Sequence, residues 1–170
     1  MAVNVKFAKV RPDARTPIKG DSGNMCFDFF PCFDSDWLEI KPFEVKLVPT
    51  GIATAFDDDL GLVFRERGST GKINLKVNSG VVDANYRGEI FVALLNCNKD
   101  KSIFISKIGP AGEQSPLTEH PDAILYPYEK AVAQGMFLPV PVIELEEISM
   151  EELNAIPSVR GDGCLGSSGR

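Results

Sequence analysis

The chain has 170 residues, 44% hydrophobic and 25% charged, the composition of an ordinary globular domain long enough to bury its own core. Its 18 Lys and Arg against 24 Asp and Glu leave a net charge of −6, which argues against a duplex-binding surface, because counterion release needs a surplus of cations. No apolar run approaches the ~18 residues of a membrane span, and the N-terminus MAVNVKFAKVRPDAR has neither the apolar stretch nor the cleavage site of a secretory signal; the expectation is a cytoplasmic protein that binds neither nucleic acid nor membrane.

Most of the chain reads as short strands. Residues 3–7 (VNVKF) alternate apolar and polar, the period of a half-buried strand, and 44–48 (EVKLV) repeat it. The series continues through 51–56, 61–64, 72–77, 89–95 and 102–105, and is expected to end at 140–143 (VPVI), where Pro139 and Pro141 suggest an edge. Glycine and proline, 15 and 12 in number, punctuate nearly every boundary. Many short strands with few helical periods indicate an all-β sandwich or barrel. One helix is expected, opened by a capping box from Ser149 to Glu152 and stopped within about two turns by Pro157. Residues 107–127 form a long polar stretch with Gly109-Pro110 and His120-Pro121, read as a surface excursion. The division expected is a β domain over 1–159 and a glycine-rich arm over 160–170, too poor in apolar residues to pack a core.

Cys26, Cys32, Cys97 and Cys164 are scattered without a C-x-x-C pair and read as free thiols. They and the single histidine, His120, are poor material for a zinc site or a histidine-based triad. Asp57-Asp58-Asp59, just before Leu60-Gly61, reads as a solvated turn rather than a metal site. Carboxylates, glycines and arginines are left to carry the chemistry.

Two segments could do so. The arm contains Gly161-x-Gly163-x-x-Gly166, formally a dinucleotide fingerprint, but the fingerprint must open a helix and only four residues follow Gly166. Arg160-Gly161-Asp162 has the form of an integrin-binding tripeptide, out of place in an intracellular chain. The arm is then either a disordered terminus or backbone that wraps phosphates, with Arg160, Ser167 and Ser168 adding donors. In the second segment, Gly80-Val81-Val82-Asp83-Ala84-Asn85-Tyr86-Arg87-Gly88-Glu89-Ile90, a lone acid stands between an apolar pair and a turn. By itself this is a hairpin whose Asp83 and Asn85 are turn formers.

Read together, the segments resemble the dUTPase (deoxyuridine triphosphatase) family, whose five ordered motifs each have a counterpart here. The third is Gly80 to Ile90 followed by Asn96, close to the family's Gly-Val-Ile-Asp-x-x-Tyr-Arg-Gly. The fifth is the arm, Arg160-Gly161-x-Gly163-Cys164-Leu165-Gly166-Ser167-Ser168-Gly169; the fourth is Glu129-Lys130-Ala131-Val132-Ala133-Gln134. The second, Arg67-Gly68-Ser69-Thr70-Gly71, is altered because Gly68 displaces the serine, and the first, Met25-Cys26-Phe27-Asp28-Phe29, keeps little beyond its aspartate. Cys164 replaces the arm's usual glycine, and Leu165 its usual aromatic over the base. The interval from Asn96 to Gln134 exceeds the family's, which marks 107–127 as an insertion of the kind some phage-like members carry.

The resemblance implies a jelly-roll-like homotrimer that hydrolyses dUTP to dUMP and pyrophosphate, with each arm closing on a neighbouring subunit's site. Asp83 would activate the water that attacks the α-phosphorus, and Mg²⁺ would bridge the phosphates. Arg67, Ser69, Thr70 and Gln134 would serve the phosphates, with Arg160, Gly166, Ser167 and Ser168 closing over them and Leu165 over the base. Backbone from Gly80 through Val82 to Tyr86 would read uracil, Tyr86 would exclude a 2′-hydroxyl, and Asp28 would stand in the metal's outer shell. A catalytically weak nucleotide sensor on the same scaffold is the alternative, motivated by Gly68, Leu165 and the insertion. The related dCTP deaminases are a third reading, but they resemble one another in a glutamate three positions before Asn96, where this chain has Ala93.

Overall fold

Residues 4–159 and Gly161 are described by the computed structural model; Arg160 and residues 162–170, which include Cys164, Leu165, Gly166, Ser167 and Ser168, lie outside the described residues. The chain divides into two units, Met1–Val140 and Pro141–Arg170. The first contains β1 (Lys6–Lys9), β2 (Phe27–Phe29), β3 (Trp37–Ile40), β4 (Val45–Pro49), β5 (Ile52–Ala55), β6 (Leu60–Arg65), α1 (Gly68–Lys72), β7 (Leu75–Ser79), β8 (Val81–Val82), β9 (Phe91–Asn96), β10 (Ile103–Ser106), β11 (Ile124–Pro127) and β12 (Ala133–Pro139). The mostly-β expectation holds. Four small sheets are formed, ordered β1-β5, β11-β10-β3, β2-β12-β6-β8 and β4-β9-β7, without closing into a barrel among the described residues. Every pairing is antiparallel except β10 with β11.

Alternation explains the sheet that matters most. In β6, Leu60, Leu62 and Phe64 point into the core while Gly61 and Val63 are only partly covered. On the neighbouring β12, Gly135 faces that row. Its lack of a side chain lets Phe29 and Phe64 meet edge to face, with ring centroids 4.7 Å apart. A Cβ at position 135 would lie 2.9 Å from both Leu62 Cδ1 and Phe29 Cε2. Central strands β9 and β10 instead read as continuous apolar runs, because neighbours flank both edges and core covers both faces. Strand β9 ends in the fully buried Asn96, whose amide nitrogen donates to Ile40 O (2.9 Å) and Lys101 O (2.8 Å). Its Oδ1 accepts from Asn98 N (2.9 Å) and Nδ2 (2.8 Å), so the group is satisfied throughout.

Three expectations are corrected. The strand placed at 140–143 is absent; the chain pairs earlier, over Ala133–Pro139, and Pro139 and Pro141 have no N–H to extend the ladder. The stretch 107–127 is not surface throughout: it holds a 3-10 turn at Pro116–Thr118, and its end is β11, paired in parallel with β10 and burying Tyr126. Helix α1 was hidden by its glycines and is made by a local cap, in which Thr70 Oγ1 accepts from Arg67 N and donates to Arg67 O, both at 3.0 Å.

In the second unit, α2 (Met150–Ala155) begins at the expected capping box. Ser149 Oγ accepts from Glu152 N at 3.1 Å, and Glu152 Oε2 accepts from Ser149 N at 2.8 Å. The Ser149 N–H and then its hydroxyl, both donating to Oε2 at 2.8 Å, hold the Glu152 carboxyl below its ordinary pKa. Cys26, Cys32 and Cys97 are free thiols. Among the described residues no helix is long and apolar enough to cross a membrane.

Gly135→Ala tests the close approach of β12 to β6. The added methyl must push Leu62 or Phe29 off its packing, at a cost of about 1–3 kcal/mol. Urea unfolding measures it, and an unchanged midpoint would show that the contact can relax freely.

Candidate active site

The order β2-β12-β6 sets Gln134 between two partners, since it pairs with Asp28 on β2 and with Arg65 on β6. Paired positions on adjacent strands share a face, so the sheet gathers these residues at one end. The chain leaves β6 through Glu66, whose carbonyl accepts from Gln134 Nε2 at 2.7 Å. Arg67 then turns its guanidinium across the sheet. Its Nε lies 2.8 Å from Asp28 Oδ1 and its Nη2 2.9 Å from Oδ2, a two-point fork with both side chains partly covered. A third guanidinium donor, Nη1, reaches Ser69 Oγ at 3.3 Å. Three of its five N–H groups are thus engaged among the described residues.

These side chains line a cavity of about 580 Å³, together with Asn24 and Gly68. Ser69 is held from behind as well, with Oγ 3.2 Å from Tyr126 Oη, and that tyrosine donates to Ala131 O at 2.7 Å. Cys26 also lines the cavity. Burial, with the Asp28 carboxylate second, pushes its thiol pKa up, and Lys19 acts in the opposite direction.

Thr70, expected among the phosphate-serving residues, has its side chain elsewhere. It is fully buried and its hydroxyl is spent on the Arg67 backbone, so it shapes the loop and does not face the cavity. Both carboxylate oxygens of Asp28 accept from Arg67. His120 stacks on Phe104 and lines a different cavity.

Gly80, Val82, Asp83 and Tyr86 form a second cluster. Gly80 O accepts from Phe64 N at 2.6 Å, and a Cβ at position 80 would meet Phe64 O at 2.8 Å, so only glycine lets β8 enter this close to β6. Val82 packs on the core. Asp83 opens a turn closed by Tyr86 N donating to Asp83 O at 3.1 Å, and its side chain is exposed. Tyr86 Oη donates to Glu89 O at 2.9 Å while its ring covers Gly88, where a Cβ would lie 2.7 Å from Cζ.

The two clusters lie apart along β6. Val82 pairs with Leu62, so Asp83 lies beside Gly61, whereas the cavity starts beyond Arg65, four residues and roughly 13 Å along the strand at ~3.3 Å per residue.

Sequence reading gives no place to Tyr126, which falls in the stretch read as a surface excursion and here backs Ser69. The run Ile124-Leu125-Tyr126 before Pro127 was the available signal.

Asp28→Ala would leave the Arg67 fork without its carboxylate and cost about 1–3 kcal/mol of unfolding free energy. Arg67→Lys should recover little of the pairing, because an ammonium cannot make the two-point contact. Denaturant unfolding of both variants checks this; wild-type stability in Asp28→Ala would reduce the pair to a surface contact.

No family model matches the chain. A deoxyuridine 5'-triphosphate nucleotidohydrolase of a Hydrogenobaculum species is 33% identical over 164 residues, covering 95% of this chain and 94% of that one. Among solved structures, the dUTPase of Staphylococcus bacteriophage 80alpha, determined with dUpNHpp, superposes with a TM-score of 0.76 at 16% identity, covering 98% of this chain and 99% of that one. The dUTPase of phage phi11 of S. aureus, described with a structural Mg(II) ion, superposes with a TM-score of 0.65 at 15% identity, covering 85% and 96%. The structural likeness shows a shared jelly-roll fold, and with full-length sequence identity above 30% to a curated relative, the chain belongs to the dUTPase family.

Proposed function

We propose that this chain hydrolyses dUTP to dUMP and pyrophosphate, an activity that keeps uracil out of DNA and supplies dUMP. The observation that carries the reading is the Asp28-ordered Arg67, set beside Ser69 and Gln134 at one cavity in a chain of this family. Arg67 and Ser69 hold phosphate oxygens, Arg67 with the N–H groups that Asp28 leaves free. Gln134 fixes the Glu66 carbonyl and has a second N–H to offer. Arg160, Gly166, Ser167 and Ser168 of the arm close over the triphosphate, with Leu165 over the base.

Asp83 takes the proton of the water that attacks the α-phosphorus. Its carboxylate is exposed, and among the described residues no donor pairs with it. Tyr86, its hydroxyl tied to Glu89 O and its ring to Gly88, is a fixed wall that leaves no room for a 2′-hydroxyl. Gly80 and Val82 present the backbone that reads uracil.

Among the described residues no three His, Cys, Asp or Glu side chains could hold a metal together, and Asp28 is engaged by Arg67. This donor set fits Mg²⁺ carried by phosphate oxygens and water, where it would offset phosphate charge.

The separation of the two clusters along β6 supports a homotrimer with sites between subunits, in which Asp83 and Tyr86 of one chain face the Arg67 cavity of another. Exposed apolar side chains agree: Phe7 and Met25 in the first unit, and Val142 and Leu145, at 96% and 95% exposure, in the second. In this reading residues 160–170 serve a neighbour's site.

Deamination of dCTP is disfavoured by Ala93, buried and without a titratable atom, and by Glu89, whose Oε1 accepts from Gly51 N at 2.9 Å and pairs with Arg11.

Pyrophosphate release from each of the four deoxynucleoside triphosphates and dUTP, with and without Mg²⁺, tests the proposal. Turnover should be confined to dUTP, and Asp83→Asn should lower kcat by at least ~100-fold with the fold intact, the scale of a lost general base. Near-wild-type turnover in that variant removes Asp83 from the mechanism. Absence of dUTP turnover in the wild type would favour the nucleotide sensor, and ammonia release from dCTP the deaminase.

The arm has its own test. A chain ending at residue 159 should be inactive but recover activity when mixed and reassembled with Asp83→Asn. No recovery from properly mixed subunits would mean that each arm serves its own chain.

A further inference from the structure

We infer that Tyr126 is a positioning residue for the phosphate cavity, acting through Ser69. The inference rests on the reading of that cavity proposed above. Tyr126 does not line the cavity; it lies behind it, 4% exposed, on β11. A buried tyrosine needs one partner for its hydroxyl, and Ala131 O at 2.7 Å already supplies it. The further contact, 3.2 Å to Ser69 Oγ, is therefore more than satisfaction of a core residue.

Proton directions order the contact. Tyr126 Oη–H is directed at the Ala131 carbonyl, so the tyrosine oxygen is free to accept from Ser69. Ser69 in turn accepts from Arg67 Nη1 at 3.3 Å. The serine oxygen is fixed from two sides, by Tyr126 and by Arg67, where it can meet an anionic oxygen in the cavity.

The bonds also close a ring. Arg67 pairs with Asp28; the next residue, Phe29, accepts from Val132 N at 2.9 Å through its carbonyl; and Ala131, one residue before Val132, accepts from Tyr126. Ser69 completes the circuit back to Arg67. Tyr126 itself is anchored by the parallel register that pairs it with Ile105. Removing its hydroxyl opens the ring where the serine is held and leaves Ser69 tethered by the arginine alone.

Tyr126→Phe keeps the ring volume and removes this contact. The dissociation constant of dUpNHpp, measured by calorimetry with Mg²⁺, should rise roughly 3- to 10-fold, the effect of one neutral hydrogen bond. A double-mutant cycle tells positioning from simple stabilisation: in a Ser69→Ala background, Tyr126→Phe should change the constant by less than about 2-fold. An unchanged constant in Tyr126→Phe overturns the proposal, and so does an equal loss with and without the serine hydroxyl, which would mean a structural tyrosine. If Ser69→Ala alone binds like wild type, Ser69 is not a phosphate contact and the proposal falls with it. A wild-type chain that does not bind dUpNHpp contradicts the proposed function itself.

Discussion

The two-point bond between Asp28 and Arg67 spans a strand that belongs to neither residue. Strands two places apart in a sheet lie about 10 Å apart, and an arginine is the side chain with the reach and planar fork to bridge that gap to a carboxylate. The bond forms only if β2, β12 and β6 keep their register, which depends on the row of core residues beneath. Gly135 admits Phe29 and Phe64 into contact, and their packing fixes which residues of β2 and β6 stand beside Gln134. A slip of one residue in β12 would turn Gln134 into the core and Gly135 out. Electrostatics at the cavity and packing in the core are thus one constraint seen from two faces of a sheet.

Strands with strict alternation or a continuous apolar run were legible, β4, β5, β6, β9 and β10 above all, and so was the capped start of α2. What escaped has physical causes. The three residues of β2 are too few for a period to show, and β3 follows a crowded run of acids and aromatics. Helix α1 carries two glycines and owes its turn to the Thr70 cap rather than to propensity. The strand expected at 140–143 had the right composition, but Pro139 and Pro141 remove the donors a ladder needs, and the pairing falls on Ala133–Pro139 instead. At the site, resemblance supplied Arg67, Ser69, Gln134 and Asp28, and the fold gathers all four. The partners of Asp28 and Thr70 were not legible, because which group a carboxylate or hydroxyl bonds to is a property of geometry and not of spacing.

The separation of the two clusters follows from the same sheet. Strand β8 pairs with the early half of β6, and the cavity opens beyond its far end. Neither cluster can slide toward the other without breaking the contact of Gly80 with Phe64 or the pairing of Gln134 with Arg65. In the single chain the exposed Asp83 and the Arg67 cavity are therefore separate surfaces, and the association proposed above is what would bring them together.

The second motif departs from its family at Gly68, and the structure gives that departure a consequence. A Cβ at this position would meet nothing within 4 Å, so packing does not require glycine there, and the open space belongs to the cavity. The hydroxyl comes instead from Ser69, one residue later in α1. On a helix one residue is about 100° of rotation, so a hydroxyl on Ser69 leaves α1 in a different direction from one at position 68. Here the Thr70 cap folds the turn back onto Arg67, and Tyr126 stands where the displaced oxygen arrives. That tyrosine is supplied by β11. The serine and the strand that backs it thus make a single arrangement, in which Tyr126 of β11 supports the hydroxyl one residue beyond Gly68.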